Sequence, residues 1–297
     1  MEEFQKQETS RKNWHDRHYK TLLLIPLILL IFSFVYLGIF YSKHNDFMLK
    51  DISLTGGTSV TINEDLDIQD LNLFLQNKLE DISIREISDL TTGKKVAVII
   101  ETKTEVDITK EVLEEYLGYE LTDDNSSIEF TGSSLSSSFY KQLLIAILIS
   151  FIFMSIVIFI LFKTAVPSGA VVLAAFADII MTLVTANILG IKMSSAGIIA
   201  LLMLIGYSVD TDILLTNRVL RRHEGTLNQR LVGAFKTGIT MTMTSLVAIT
   251  IAFFVVRPFS SILSQIFIIL MIGLIFDMFN TWITNVSILK WYVERRK

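Results

Sequence analysis

The stretch Ser194–Asn217, SSAGIIALLMLIGYSVDTDILLTN, decides the fold. It is apolar over a length that crosses a hydrocarbon core of about 30 Å as a helix, for which about 20 residues suffice. Inside it stand Asp210 and Asp212. A charge at membrane depth costs roughly 2.5–3.5 kcal/mol on insertion scales. Two aspartates on one span therefore mark a functional site: an ion or proton relay, or a catalytic carboxylate. At 100° per residue the two point about 160° apart. Asp210 then shares a face with Gly206 and Asn217, and Asp212 with Ser208 and Thr216. Asp210 lies about 12 Å along the helix from Arg218 at its end, at a depth where an ionised carboxylate needs a cation or donors near it.

Five more runs are long and apolar enough to span: Thr21–Tyr41, Lys141–Phe162, Pro167–Leu189, Lys236–Val256 and Ile262–Lys290. The chain of 297 residues is 51% hydrophobic and 19% charged, which fits a membrane protein with one soluble insert better than a soluble globule. There is no cysteine, so disulfides and thiolate metal sites are excluded, and the four histidines show no ligand spacing. No cleavable signal peptide is expected, because the first run spans and no small-residue cleavage site follows it.

Basic residues set the expected orientation. Lys6, Arg11, Lys12, Arg17 and Lys20 precede the first span, Lys163 follows the second, Arg218, Arg221, Arg222 and Arg230 join the fourth to the fifth, and Arg295, Arg296 and Lys297 end the chain. The opposite short loops carry Lys192 and Arg257. The positive-inside rule places both termini in the cytoplasm. The expected division is a cytoplasmic segment 1–20, a first span 21–41, an extracytoplasmic domain 42–139, a bundle of five spans 140–290 and a cytoplasmic tail 291–297.

The insert 42–139 holds 20 acidic and 8 basic residues. Its pattern reads as a strand at Thr58–Ile62, a helix Ile68–Leu79 capped by Asp67, strands Ser83–Ser88 and Lys95–Glu101 joined by a turn at Thr92–Lys94, a helix Ile108–Leu117 capped by Asp107, and a strand Ser127–Thr131. That β-α-β-β-α-β order is the ferredoxin-like arrangement, which hosts many functions. Gly132–Ser138 reads as a flexible return to the membrane.

Other polar residues in the spans are candidate partners of Asp210. Lys236 opens span five, followed by Thr237, Thr240, Thr242, Thr244 and Ser245. Its ammonium either snorkels to the interface or reaches toward Asp210. Asp178 ends a small-residue ladder from Ala170 that permits close helix approach, and Asp277 is followed by Asn280, Thr281, Thr284 and Asn285. Asp178, Asp277, Asn217, Thr240 and Thr244 are read as possible neighbours of a relay formed by Asp210, Asp212 and Lys236, with a helix–helix hydrogen bond as the alternative role of Asp178 and Asp277. A two-aspartate intramembrane protease is disfavoured, because no Gly-x-Gly-Asp precedes any of these acids. The Gly56–Gly57 pair before the first strand allows positive φ or a close backbone approach, but no helix follows with phosphate-loop spacing.

Three blocks together resemble the SecF family, membrane subunits of the SecDF protein-export complex within the RND superfamily. The family's D-F-x-G-G-T opening corresponds to Asp51 with Leu54-Thr55-Gly56-Gly57-Thr58. Its fourth-span G-Y-S-V-N-D corresponds to Gly206-Tyr207-Ser208-Val209, followed by Asp210-Thr211-Asp212. Its basic residue before a Thr/Ser-rich fifth span corresponds to Lys236 and the helix through Ser245. The acid directly after Val209 is like the sister subunit SecD, and lysine stands where bacterial chains carry arginine, a pattern more like archaeal members.

The resemblance implies an α-helical polytopic membrane protein with six transmembrane helices and an α+β ferredoxin-like domain between helices one and two. It implies protein transport rather than enzyme activity. It further implies a SecD-like partner, a SecY-type translocon and an exported polypeptide, a place in the cytoplasmic membrane, and coupling to the proton gradient through Asp210 and Lys236. No cofactor, metal or nucleic acid is expected. A single-half RND-type exporter of small molecules or lipids, and a scaffold of the translocon without energy coupling, remain as alternatives.

Overall fold

The computed structural model describes residues 21–88, 94–221, 225–258 and 260–295. The expected turn at Thr92–Lys94 falls largely outside them, as do the N-terminal segment 1–20 and the last two residues.

Among the described residues, six helices are long and apolar enough to cross a membrane. Span one is α1, Leu24–His44. The external domain follows as α2 (Ile52–Thr55), β1 (Gly57–Ile62), α3 (Ile68–Leu75), β2 (Ser83–Ser88), β3 (Lys95–Thr102), α4 (Val106–Leu117) and β4 (Ser126–Thr131). Spans two to five are α5 (Ser133–Phe162), α6 (Ala165–Ile188), α7 (Ser195–Arg221) and α8 (Leu227–Val256). Span six combines α9 (Ser261–Phe279), a π-helical turn Asn280–Asn285 and α10 (Val286–Arg295).

The four strands form one sheet in the order β2-β3-β1-β4, with every neighbouring pair antiparallel. This is the ferredoxin-like topology. Alternation turns Val60 and Ile62 of β1 and Val98 and Ile100 of β3 to one face, where they pack on Leu71, Leu75 and Leu113 of the two helices. Asp67 caps α3 by accepting from the Gln69 amide at 2.9 Å. The helix stops at Leu75, short of the expected Leu79, although Leu79 still turns into the core.

Two local expectations are corrected. Asp107 does not cap α4: the helix begins at Val106, Glu105 takes the cap position without a side-chain bond, and Asp107 stands in the first turn. The Thr109 hydroxyl holds that turn instead by donating to the Glu105 carbonyl at 2.8 Å. Ser133–Ser138 is no flexible return either, because α5 starts at Ser133 and runs unbroken into the membrane. Tertiary packing overrides the weak helix preference of serine. Ser136 is buried, and Gly56 lies so close to the helix start that a Cβ there would stand 2.5 Å from Ser133 Cα. At 1.5 Å per residue, α5 is about 45 Å long, so its first turns rise above the hydrocarbon core.

The domain is strapped to the outer ends of the spans. The Met193 amide donates to the Leu49 carbonyl at 2.6 Å, and the Asp51 amide to the Met193 carbonyl at 2.9 Å. Asn187 of α6 donates to the Phe47 carbonyl at 2.8 Å and accepts from the Leu49 amide at 3.2 Å. The Ser88 amide of β2 donates to the Pro258 carbonyl between spans five and six at 2.6 Å.

Within the bundle, spans three and four are the centre: 67% and 56% of their most apolar windows are buried, against 6% for span five. Span five is therefore the least buried of the spans. Small residues set the helix rotations. A Cβ on Gly273 would stand 2.4 Å from Leu204, and one on Gly238 2.4 Å from Trp282. These contacts lock span six against span four and span five against span six.

Candidate functional site

The two aspartates of span four diverge as their spacing requires. Asp210 is exposed on the outward face of α7 with Gly206, Tyr207 and Asn217. Asp212 is fully buried with Ser208 and Thr216.

Asp212 joins two carboxylates from other spans. The Ser208 hydroxyl donates to Asp178 Oδ2 at 2.6 Å, and Asn280 Nδ2 donates to Asp178 Oδ1 at 2.7 Å. Thr281 Oγ1 lies 2.9 Å from Asp212 Oδ1 and 3.2 Å from Asp277 Oδ1. Asn285 Nδ2 donates to Asp212 Oδ1 at 2.7 Å. Thr281 thus bridges Asp212 and Asp277, while Ser208 and Asn280 hold Asp178.

The backbone explains how span six supplies so many of these groups. A π turn is wider than an α turn and often marks a functional site. Here it brings Asn280, Thr281, Thr284 and Asn285 all to the buried side. In span three the small residues Ala170, Ala174, Ala175 and Ala177 are buried and allow the close approach that seats Asp178.

The structure therefore groups Asp178 and Asp277 with Asp212, not with Asp210. Asp210 and Lys236 are both exposed, and among the described residues no ion pair joins them. Thr211 packs against Gly238, which sets Asp210 within about one turn of Lys236 along the neighbouring helix. Thr240 and Thr244 are exposed too, and their hydroxyls bond back to their own helix, to the Lys236 and Thr240 carbonyls at 2.8 and 2.7 Å. Arg218 at the end of span four donates to Thr237 at 2.9 Å.

The Asp51 block is a structural joint. Asp51 accepts from the Ile52 amide at the start of α2 and takes Arg85 of β2 at 3.1 Å. Arg85 also meets Glu101 of β3 at 2.5 Å. Burial, and then the neighbouring Asp51 carboxylate, push Glu101 up to about 7. Gly56 and Gly57 have φ of +84° and +148°, and a Cβ on Gly57 would meet the Thr102 carbonyl oxygen at 2.3 Å. Glycine is required at both. The Arg85–Glu101 partners of Asp51 escaped sequence reading, since nothing local links residues so far apart. The buried network left a visible signal: Asp277, Asn280, Thr281, Thr284 and Asn285 form a polar stripe at helical spacing.

Among the described residues no group of histidine, aspartate and glutamate side chains is arranged to hold a metal ion. A cavity of about 420 Å³ lies between the β2–β3 side of the sheet and the outer ends of the spans, lined by Arg85, Glu86, Lys192, Arg257 and Gln265 among others. It is separate from the buried carboxylates.

Residues 112–295 match the family model described as protein export membrane protein SecD/SecF, C-terminal. Curated relatives include the protein-export membrane protein SecF of Methanocaldococcus jannaschii, 40% identical over 93% of this chain and 96% of that one. That of Methanothermobacter thermautotrophicus is 38% identical over 94% of each. The crystal structure of SecDF from Thermus thermophilus, described as a translocon-associated membrane protein, superposes with a TM-score of 0.72 at 18% identity. It aligns over 96% of this chain, which spans 39% of that longer one. The chain belongs to the SecD/SecF family of protein-export membrane proteins, on its SecF side: a multi-pass transport protein of the cell membrane and not an enzyme.

Proposed function

We propose that this chain assists polypeptide export as one six-span half, with a SecD-like subunit supplying the other half beside a SecY-type translocon. The external domain then stands outside the cytoplasmic membrane and both termini inside, and the proton gradient is drawn on through Asp210 and Lys236. The observation that carries the reading is the outward polar stripe on spans four and five. Asp210, Asn217, Lys236, Thr240 and Thr244 are all exposed, beside outward apolar residues such as Ile199, Met203, Val247 and Ile251. Each charge facing lipid costs roughly 2.5–3.5 kcal/mol on insertion scales. A second half laid against this face removes that exposure and closes a site around the two charges. The curated relatives support the export role, and the fold likeness to SecDF supports a two-half assembly.

In this reading the Lys236 ammonium is the counter-charge of an ionised Asp210. Protonation of Asp210 abolishes the pair and frees spans four and five to shift. The straps at Met193 and Pro258 carry that shift to the external domain. Because spans three and four are the buried centre, a rotation of span four is felt by every neighbour. The test is export of a secreted reporter into membrane vesicles at a fixed proton gradient. Asp210→Asn and Lys236→Ala should each remove the gradient-dependent part of export. Wild-type export by either variant overturns the assignment of that residue.

A further inference from the structure

The short loops on the side of the external domain hold few basic residues, as the positive-inside rule leads one to expect. The two that stand there, Lys192 and Arg257, line one cavity of about 420 Å³ between the sheet and the ends of the spans. That volume lies in the range of about 300–1,000 Å³ typical of small-ligand sites. Its walls are tied on both sides. The Ser88 amide of β2 holds the Pro258 carbonyl, next to Arg257, at 2.6 Å. Gln265 of span six donates to the Lys192 carbonyl at 2.5 Å and accepts from the Ser194 amide at 3.1 Å, which fixes the loop between spans three and four.

Most charges around the cavity are already matched. Glu86 is held by Lys95 at 2.6 Å, Lys192 meets Asp81 at 2.6 Å, and Arg85 lies between Asp51 and Glu101. Arg257 is not matched. Among the described residues its guanidinium forms no ion pair or hydrogen bond, and its central carbon stands 6.0 Å from the centre of the Phe253 ring. The hydroxyls of Ser83 and Ser261, both in the cavity wall, also have no hydrogen-bond partner among the described residues. An uncompensated cation beside uncommitted donors suits an anion with several oxygens. Snorkelling to the interface explains one arginine at the end of a span. It leaves the tied cavity and the free donors without a purpose.

The spans supply an apolar lining to the same cavity, through Phe253 of span five and Ile268 of span six. Ile268 lies seven residues beyond Ser261, about 10 Å along the helix. The cavity therefore reaches from the polar end of the span into its apolar part. A free anion fills only the first region, whereas an amphiphile fills both.

We infer that the cavity binds one anionic phospholipid from the leaflet on the side of the external domain. Its phosphodiester lies against Arg257, Ser83 and Ser261, and the upper part of its chains against Phe253 and Ile268. Bound there, the lipid touches β2 and spans five and six at once, and so ties the external domain to the leaflet. The inference uses no role of Asp210 or Lys236, and its test involves no export assay, so it and the proton-coupled reading can fail separately.

The test is native mass spectrometry of the full chain released from micelles that contain equal amounts of phosphatidylglycerol and phosphatidylcholine with the same chains. The wild type should retain one phosphatidylglycerol in preference to phosphatidylcholine. Arg257→Gln should lower that preference about fivefold, the worth of one basic residue at an anionic lipid surface. Arg257 is exposed and unpaired, so this variant should fold as the wild type does. Lys163→Gln, an exposed change at the opposite end of the bundle, should leave the preference intact. Glycerol phosphate at millimolar concentration should not displace the lipid. Equal retention of the two lipids, or an unchanged preference in Arg257→Gln, overturns the proposal. So does an equal loss in Lys163→Gln, which would show unspecific attraction by charge, or displacement by glycerol phosphate, which would show a site for the free anion.

Discussion

Thr281→Val isolates the polar content of the buried network. Valine matches threonine in volume, so the change opens no cavity and removes only the hydroxyl between Asp212 and Asp277. Thr281 is fully buried, so no solvent replaces it. Side-chain hydrogen bonds inside membrane proteins average about 0.6 kcal/mol and reach about 1.7. Two lost contacts therefore predict a destabilisation of about 1–3 kcal/mol, the upper part arising because Asp212 keeps its Asn285 donor while Asp277 loses a neighbour. The assay is unfolding in mixed micelles titrated with denaturing detergent, run on the wild type, Thr281→Val, Asp277→Asn and the double variant. Residues in one network should show a coupling of at least about 0.5 kcal/mol. A Thr281→Val protein as stable as the wild type, or strictly additive effects, refutes the bridge.

Other consequences follow from the domain and its joint. Gly56→Ala should sharply reduce folded yield, because φ is +84° and the new Cβ would lie 2.5 Å from the Ser133 backbone, which has no free rotation to yield. Wild-type yield and melting temperature would contradict the close approach. Glu101 is pushed up to about 7 from an ordinary 4.5 by burial and by Asp51. Between those values the folded chain holds a proton that the unfolded chain releases, so stability should be greatest below that window and fall as pH rises through it. Glu101→Gln should flatten that slope, and an unaltered slope in thermal melts would show that another group sets it.

The six spans and the order of the external domain were legible because each rests on local periodicity. Runs of about 20 apolar residues allow one reading, and alternation at Thr58–Ile62 and Lys95–Glu101 marks strands whatever surrounds them. The divergence of Asp210 and Asp212 was legible for the same reason. Which of the two turns inward was not, because spacing gives relative angles on a helix and not its rotation in the bundle. That rotation is set by contacts such as Gly273 on Leu204 and Gly238 on Trp282, which join residues far apart in the chain. Whether Asp178 and Asp277 neighbour Asp210 or Asp212 was open for the same reason, and the bundle places them beside Asp212. The serine run after Gly132 misled because its composition is that of a linker, whereas burial of Ser136 beneath the domain makes it helix. The π turn at Asn280–Asn285 has no local signature beyond its polar stripe.

The central claim is that the polar face of spans four and five is covered by a second six-span half. The chain contains no cysteine, so single cysteines report without background. Cysteines replacing Asn217 or Thr244 on that face, and Leu148 on the outward side of span two, should be cross-linked in membranes that also hold the SecD-like subunit. The account predicts adducts to that subunit from Asn217→Cys and Thr244→Cys and none from Leu148→Cys. Adducts from Leu148→Cys alone, or labelling of the Asn217 and Thr244 positions by a lipid-borne reagent in the assembled complex, would contradict it.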